Sequence, residues 1–264
     1  MKQPVVVFAA LFLITGCATQ LSQTPPAGMP AQVMAAGLQV GSHWRYAVRD
    51  GFTNLPRGTV EYRVSAVQGD TVKVEVRDDG RESTEIYTRD GNWLSRPATN
   101  MQLFTYSPAY RAFAFPLAPG KTWKSRVTAT DPADGRRFPV MIEGAVLGWD
   151  RIKVPAGEFD ALRVRRVVYL DYWQQGVRGQ SAIEENEWFA PAVNQVVRRE
   201  ATSKYLSYIY SGSRPGFVLA RGRGRDDGGR QRHVRGGGGR DGGSSPTFIQ
   251  DDWLIYELVS HSAR

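Results

Sequence analysis

Apolar and polar residues alternate along much of the chain. Apolar side chains occupy every second position in two neighbouring stretches, residues 60–66 and 71–77. A period of two places these side chains on one face of a strand. Gln68-Gly69-Asp70 between the stretches and Asp78-Asp79-Gly80 after them are typical of hairpin turns. The pattern therefore predicts antiparallel strands that are buried on one face and exposed on the other.

The same pattern continues towards the C-terminus. After residue 38, no stretch has the long, capped 3.6-residue period of a helix. The fold class is therefore predicted to be all-β, as a single curved antiparallel sheet or an open half-barrel. The further predicted strands cover residues 121–130, 138–149, 162–173, 181–189, 195–210 and 248–259.

The first seventeen residues are typical of an export signal. Lys2 supplies a positive charge, residues 5–14 are apolar, and Thr15-Gly16 are small residues before Cys17. The apolar run is well short of the roughly 20 residues that cross a bilayer as a helix. The segment resembles the lipobox of bacterial lipoproteins. That resemblance implies cleavage before Cys17, acylation of Cys17 with palmitate-type chains, and sorting to the outer membrane because Ala18 is not aspartate.

Cys17 is the only cysteine in the chain. The alternative is an ordinary secretory signal with a chance cysteine near the cleavage site. If Cys17 is lipidated, no thiol remains for disulfides, metal binding or nucleophilic catalysis. We expect a lipid-anchored domain on the periplasmic side of the outer membrane, with the cell surface as the alternative.

Three regions follow from this division. Residues 1–16 form the signal peptide, residues 17–38 the lipidated N-terminus with a flexible tether, and residues 39–264 the β-sheet domain. The tether is uncharged from Ala18 to Leu38 and contains several prolines, which favours a coil. A short helix over residues 30–36 is the alternative for its second half.

An insert rich in arginine and glycine interrupts the last predicted strands. Residues 221–243 contain ten glycines and three aspartates, and carry a net charge of +4 out of +8 for the whole chain. This composition predicts disorder. Guanidinium groups suit phosphates, so lipopolysaccharide or another anionic polymer is a possible ligand, with a tolerated insertion as the alternative. The arginines concerned are Arg221, Arg223, Arg225, Arg230, Arg232, Arg235 and Arg240.

Few residues suggest catalysis. Only three histidines are present, and no serine lies in a Gly-x-Ser-x-Gly elbow. Glu185 and Glu187 share one face of a predicted strand, so they could form an acid/base pair or a hard-cation site. A solvated face, or pairing with a basic neighbouring strand such as the one that carries Arg163, Arg165 and Arg166, is the favoured interpretation. We therefore predict no catalytic residue, no metal and no cofactor.

Two further stretches carry a family resemblance. Residues 154–161, VPAGEFDA, and residues 188–193, WFAPAV, resemble paired motifs of β-rich periplasmic proteins of proteobacteria. Phe115-Pro116-Leu117 fits the same pattern, and the similarity covers about residues 40–199. The family often has glycine where this chain has Asn194, and asparagine also tolerates positive φ. The resemblance implies a β architecture and an envelope location, without an assigned activity.

These features define three functional hypotheses. The first is a non-enzymatic outer-membrane lipoprotein that binds an apolar or amphipathic envelope component or supports envelope assembly. The second is an interaction module that binds lipopolysaccharide or another anionic polymer through residues 221–243. The third and weakest is a hydrolase or metal enzyme that uses Glu185 and Glu187. Nucleic acid is a poor partner for the insert, because no aromatic residue lies between its arginines to stack on bases.

Overall fold

Twelve antiparallel strands make up nearly all of the described structure. The computed structural model describes residues 21–97, 103–174, 177–207 and 247–262. Within these residues, one 3-10 turn, Pro191–Val193, accompanies the strands. The strands are β1 His43–Asp50, β2 Pro56–Gln68, β3 Thr71–Asp78, β4 Arg81–Thr88, β5 Trp93–Pro97, β6 Leu103–Tyr110, β7 Thr122–Thr130, β8 Arg137–Val154, β9 Gly157–Gln174, β10 Val177–Ala190, β11 Gln195–Ser207 and β12 Thr247–Ser262.

The sheet closes into a barrel. Each strand pairs with its neighbours in sequence, and β1 also pairs with β12, from His43 opposite Ser262 to Asp50 opposite Leu254. The all-β prediction is thus confirmed, but the open sheet or half-barrel is wrong. Alternation is the same in an open and a closed sheet, whereas closure satisfies the unpaired backbone groups of both edge strands. Within the described residues, no helix is long and apolar enough to span a membrane.

Alternate side chains fill the barrel interior. On β3, Val72, Val74 and Val76 point inward and are buried, while the residues between them are exposed. In one place, a glycine makes room for a buried ring of the neighbouring strand. A Cβ added to Gly144 on β8 would lie 2.1 Å from the Trp123 ring of β7, so the missing side chain makes room for the indole.

The two ends of the barrel differ. At the end that we call proximal lie the turns at residues 69–70, 89–92, 155–156 and 191–194 and the longer connection over residues 111–121. The opposite, distal end carries the turns at residues 51–55, 79–80 and 131–136. Strand β11 ends and β12 begins at the distal end, so the insert at residues 221–243 is attached there, although it lies outside the described residues.

An N-terminal segment, residues 21–38, lies against the proximal part of the barrel. Ser22 and Trp149 exchange backbone hydrogen bonds of 3.0 and 2.7 Å, and Val33 and Leu117 exchange two of 2.8 Å. Val33 is buried, and Leu38 packs on the core. From residue 21 onward, the predicted tether is therefore hydrogen-bonded to the barrel, and the alternative helix over residues 30–36 does not form.

A glycine permits the first of these contacts. Gly148 follows a bulge in β8, has φ of +145°, and would place an added Cβ 2.8 Å from the carbonyl oxygen of Ser22. Real Cβ atoms do not approach backbone oxygens so closely, and φ in this range is strained for any other residue. Gly148 therefore lets the N-terminal segment lie directly on β8.

Candidate functional site

A small chamber lies inside the proximal mouth of the barrel. Its volume is about 90 Å³, and residues 35–38 of the N-terminal segment form part of its wall. A second cavity of about 170 Å³ borders the same segment and shares Trp44, Asn194 and Gln195 with the first. The mouths of β-barrels are common places for ligand sites. The lining of the first chamber is rich in aromatic side chains, which include Trp44, Tyr46, Trp93, Phe113, Phe115 and Phe189.

Charged residues of β9, β10 and β11 lie on the inner face of the barrel beside the aromatic side chains of the chamber. We call Arg166, Glu185, Glu187 and Arg199 the ion network. Glu185 on β10 lies directly opposite Arg166 on β9, and Glu187 lies directly opposite Arg199 on β11. Because side chains alternate along a strand, Glu185 and Glu187 both point into the barrel, where the arginines of the two neighbouring strands meet them.

The network is tightly hydrogen-bonded. Arg166 donates to Glu185 Oε2 from Nε at 3.1 Å and from Nη2 at 2.8 Å, and its Nη1 donates to Glu187 Oε2 at 2.7 Å. The same Nη1 donates to the carbonyl oxygen of Ala112 at 3.0 Å. Arg199 Nη2 donates to Glu185 Oε1 at 2.6 Å. Exposure is 0% for Arg166, 2% for Glu185, 3% for Glu187 and 8% for Arg199, so water screens these charges little.

The surroundings keep Glu185 ionised. Burial alone would raise the pKa of its carboxyl group, but the guanidinium groups of Arg166 and Arg199 lower that pKa to about 2. Burial would lower the pKa of the Arg166 guanidinium. The carboxylates of Glu187 and Glu185 outweigh burial and raise this pKa well above its ordinary value. A carboxyl group held in its charged form at neutral pH cannot donate a proton, which argues against Glu185 as a general acid.

A second buried pair lies on the neighbouring wall. Arg96 on β5 approaches Glu85 on β4 at 3.3 Å, and the Tyr87 hydroxyl donates to the same carboxylate. The Arg96 guanidinium lies 4.4 Å from the ring centroid of Trp93, within cation–π range. Together with the ion network, three guanidinium groups face three carboxylates. The exposed Arg89 and Asp90, which also line the chamber, add one charge of each sign, so the described charges around the chamber balance.

One contact in the network is incomplete. Arg199 Nε lies 3.6 Å from Glu187 Oε1, beyond hydrogen-bond distance, and this nitrogen is buried without a hydrogen-bond partner. Both side chains line the chamber. A buried donor without an acceptor costs roughly 1–3 kcal/mol, so its position at a cavity wall indicates a place where a bound group supplies the missing acceptor.

The barrel interior beyond the network is nearly full. The cavity on the far side of Trp93 and Glu185 has a volume of about 10 Å³, which is room for about one water molecule. A hydrocarbon chain therefore cannot extend along the barrel axis past the ion network. Among the described cavities, the room for a ligand inside the barrel therefore lies at the proximal mouth.

The structure describes only some of the site residues predicted from the sequence. Cys17 and the seven arginines of the insert lie outside the described residues, so their roles remain predictions. Glu185 and Glu187 do share a face, and the pairing of both with Arg166 confirms the favoured interpretation. The solvated-face version is wrong for this pair, because the barrel encloses them. In the described part of the chain, no group of three or more potential ligands could hold a metal.

Sequence reasoning missed Arg199 and the aromatic residues of the chamber. Arg198 and Arg199 are adjacent, and only the strand register shows that Arg198 faces outward onto Trp188 while Arg199 faces inward. The left-handed conformation expected to be tolerated at Asn194 is present, with φ of 49°, and it ends the 3-10 turn beside the chamber.

No protein-family model and no curated protein matches the chain. Among solved structures, a candidate lipoprotein from Parabacteroides distasonis has a TM-score of 0.42 at 12% identity, covering 87% of this chain and 99% of that one. A candidate exported protein with a YmcC-like fold from Bacteroides fragilis has a TM-score of 0.41 at 17% identity, over 64% and 91%. The hypothetical lipoprotein YmcC from Escherichia coli has a TM-score of 0.39 at 10% identity, over 64% and 84%. All three similarities are distant.

Proposed function

We propose that this protein is a non-enzymatic lipoprotein of the outer membrane whose barrel mouth binds an amphipathic envelope component. The observation that carries the proposal is the aromatic chamber under the N-terminal segment. Aromatic walls with a few polar groups are the usual composition of a small-molecule site. The segment that covers the chamber continues backwards to Cys17, so the site and the proposed lipid anchor belong to the same end of the chain.

Cavity size limits what is bound. An engineered protein cavity of about 150 Å³ holds one benzene molecule, and the chamber of about 90 Å³ is smaller. A polar head group with its first few carbons is the expected cargo, and a longer chain has to leave through the mouth or displace residues 35–38. The barrel interior is too small to hold a whole acyl chain.

The other two hypotheses are less well supported. An enzyme that uses Glu185 and Glu187 needs a carboxyl group with a raised pKa, and Glu185 has a lowered one. An interaction module acting through residues 221–243 remains a separate proposal. Because the insert is attached at the distal end, deleting it leaves the residues of the chamber in place, and the two activities can be tested independently.

Mass spectrometry of co-purifying lipids tests the proposal. The lipoprotein is extracted from membranes, and its bound small molecules are compared with those of Val196→Phe. Val196 is buried in the chamber wall, so a phenyl ring there fills the cavity. Val259→Phe is the matched control, because Val259 is 37% exposed on the outer face.

The expected result is an amphipathic molecule on the wild type and on V259F, and its loss from V196F. Equal recovery of the same molecule from all three proteins would show that the chamber is not its site. A wild-type protein that carries no small molecule and binds none added to it would remove the proposal.

A further inference from the structure

If the chamber binds an amphipathic molecule, as proposed above, the described charges around it decide which head group fits. We infer that the chamber selects an uncharged, hydroxyl-bearing head group, held between Arg199 and Glu187. The inference rests on the same site as the proposed function and adds the chemical class of the ligand. Its evidence is the unpartnered Arg199 Nε, the neighbouring Glu187 carboxylate and the balance of the buried charges.

A hydroxyl group matches the incomplete contact. Arg199 Nε and Glu187 Oε1 are 3.6 Å apart, so one oxygen atom can lie within hydrogen-bond distance of both. A hydroxyl oxygen accepts from Nε–H, and its own proton is donated to the carboxylate. Because Arg199 Nε has almost no surface accessible to water in the free protein, a ligand hydroxyl reaches it only when side chains of the chamber wall shift on binding.

An anionic head group is a poorer match. It would meet Arg199, but it would also lie beside Glu187, whose carboxylate is 3.6 Å from the same nitrogen. Arg199 already donates to Glu185 at 2.6 Å, and Arg96 is paired with Glu85. The attraction of one charge is offset by the repulsion of the other, and the cost of removing an anion from water is left uncompensated.

A cationic head group fails for the complementary reason. Glu185 and Glu187 are engaged by Arg166, and Arg199, which donates to Glu185, itself lines the chamber. An ammonium group in the chamber would therefore face a guanidinium at close range. A head group without hydrogen-bonding atoms would leave Arg199 Nε unpartnered, as it is now.

The aromatic part of the wall suits the first carbons of the chain. Trp93 is stacked on Tyr110 at 4.1 Å, and Phe113, Phe115 and Phe189 are in mutual contact at 5.5 to 5.7 Å. These rings are already fixed by each other, so little side-chain entropy is lost when a ligand binds. The inferred ligand class is therefore a neutral amphiphile, such as an alcohol or a monoacylglycerol.

Titration with four probes of equal chain length tests the inference. Octanol, monooctanoylglycerol, octanoate and methyl octanoate are added at pH 7 to the purified full chain. Binding is followed by tryptophan fluorescence, because Trp44 and Trp93 line the chamber, and by calorimetry. We expect saturable binding of octanol and monooctanoylglycerol, with octanoate and methyl octanoate about tenfold weaker.

Two lysine variants test whether the Arg199 Nε atom is responsible for octanol binding. Arg199→Lys keeps the charge but removes the Nε donor, and we expect it to weaken octanol binding about fivefold. Arg198→Lys is the control. Arg198 also has a buried Nε without a partner, but it lies on Trp188 and is not part of the chamber wall. Thermal melting establishes that each variant is folded, and the comparison of probes on the wild type needs no variant.

The outcomes separate failure of the inferred head-group preference from failure of the proposed function. Octanoate binding as tightly as octanol, or methyl octanoate matching octanol, would overturn the inference and leave the proposed function intact. So would an R199K protein that is folded and binds octanol like the wild type. If none of the four probes binds, the proposed function itself fails.

Discussion

Glu185 accepts two hydrogen bonds from Arg166 inside the barrel, at 3.1 Å from Nε and 2.8 Å from Nη2. The two residues face each other across β10 and β9, and both are almost completely buried. Removing one member of such a pair leaves an uncompensated buried charge, which typically costs about 3–5 kcal/mol. The stability of the barrel should therefore depend on the ionisation of Glu185.

The first prediction concerns acid. The pKa of Glu185 falls from an ordinary 4.5 to about 2 in the fold. A lowered pKa gives stability that is present above the unfolded value and is lost as the pH falls through the folded value. We expect up to about 3 kcal/mol of the free energy of unfolding to disappear between pH 5 and pH 2, measured by urea unfolding.

A pair of glutamine variants separates this contribution from general acid effects. Glu185→Gln should lower the free energy of unfolding at pH 7 by about 3–5 kcal/mol and flatten its dependence on pH. Glu184→Gln is the neighbouring control, since Glu184 pairs with Arg165 on the exposed face. A pH dependence in E185Q equal to that of the wild type would contradict the assignment.

The second prediction concerns the N-terminal segment. Gly148→Ala should release residues 21–24 from β8, because the added Cβ meets the carbonyl oxygen of Ser22 at 2.8 Å. Limited proteolysis and hydrogen exchange should show faster cleavage and exchange in this segment. Gly69→Ala is the control for backbone strain alone, because Gly69 also has a positive φ but an added Cβ there meets nothing within 4 Å. Equal protection of the segment in both variants would count against the contact.

The third prediction concerns packing between β7 and β8. Gly144→Ala should destabilise the barrel by about 1–3 kcal/mol, because the new methyl group overlaps the Trp123 ring at 2.1 Å. Thermal or denaturant unfolding measures the loss. Replacing Trp123 by Leu in the same chain should make the alanine less costly than it is beside tryptophan. Additive effects of the two substitutions would show that they do not interact.

The fourth prediction concerns lipidation. Cys17→Ser should abolish incorporation of labelled palmitate and release the protein from the membrane fraction, because no acyl chain then remains to anchor it. Ala18→Asp is the matched variant. On the lipobox resemblance, it should remain lipidated but fractionate with the inner membrane. A C17S protein that stays membrane-bound would point to the ordinary signal peptide and another means of attachment.

The fifth prediction concerns the insert. Deleting residues 221–243 should leave the unfolding midpoint and octanol binding unchanged, since every described wall of the chamber lies elsewhere in the chain. If the insert binds lipopolysaccharide through its arginines, the deletion should remove the salt-dependent part of that binding. Unchanged binding would leave the insert as a tolerated insertion.

Local patterns in the sequence predicted most strands and turns. The alternation of residues 60–66 and 71–77 became β2 and β3, and the turns at residues 69–70 and 79–80 lie where their glycines predicted. Strands β5 and β6 were missed. Trp93–Pro97 is too brief to show a period, and Pro108 within Leu103–Tyr110 argues against a strand at the sequence level. Barrel closure was missed because the pairing of β1 with β12 joins residues more than 200 positions apart and has no local signal.

The candidate site could be predicted only in part. Period two placed Glu185 and Glu187 on one face, but it did not say which face is inside. Two buried carboxylates look like an exposed acidic run until the opposing arginines are known, and Arg199 comes from a strand whose register the sequence does not fix. The chamber depends on the shape of the closed barrel and on the path of the N-terminal segment.

Few residues separate Cys17 from Ser22, which limits how far the barrel can lie from a lipid on Cys17. Five residues of extended chain span at most about 18 Å, and Ser22 is hydrogen-bonded to β8. If Cys17 carries the lipid, the barrel is held close to the bilayer surface and has little freedom to drift from it. A tail that leaves the aromatic mouth then has only a short aqueous gap to cross before it meets the membrane. Exchange between bilayer and barrel would need neither a soluble intermediate nor detachment of the protein.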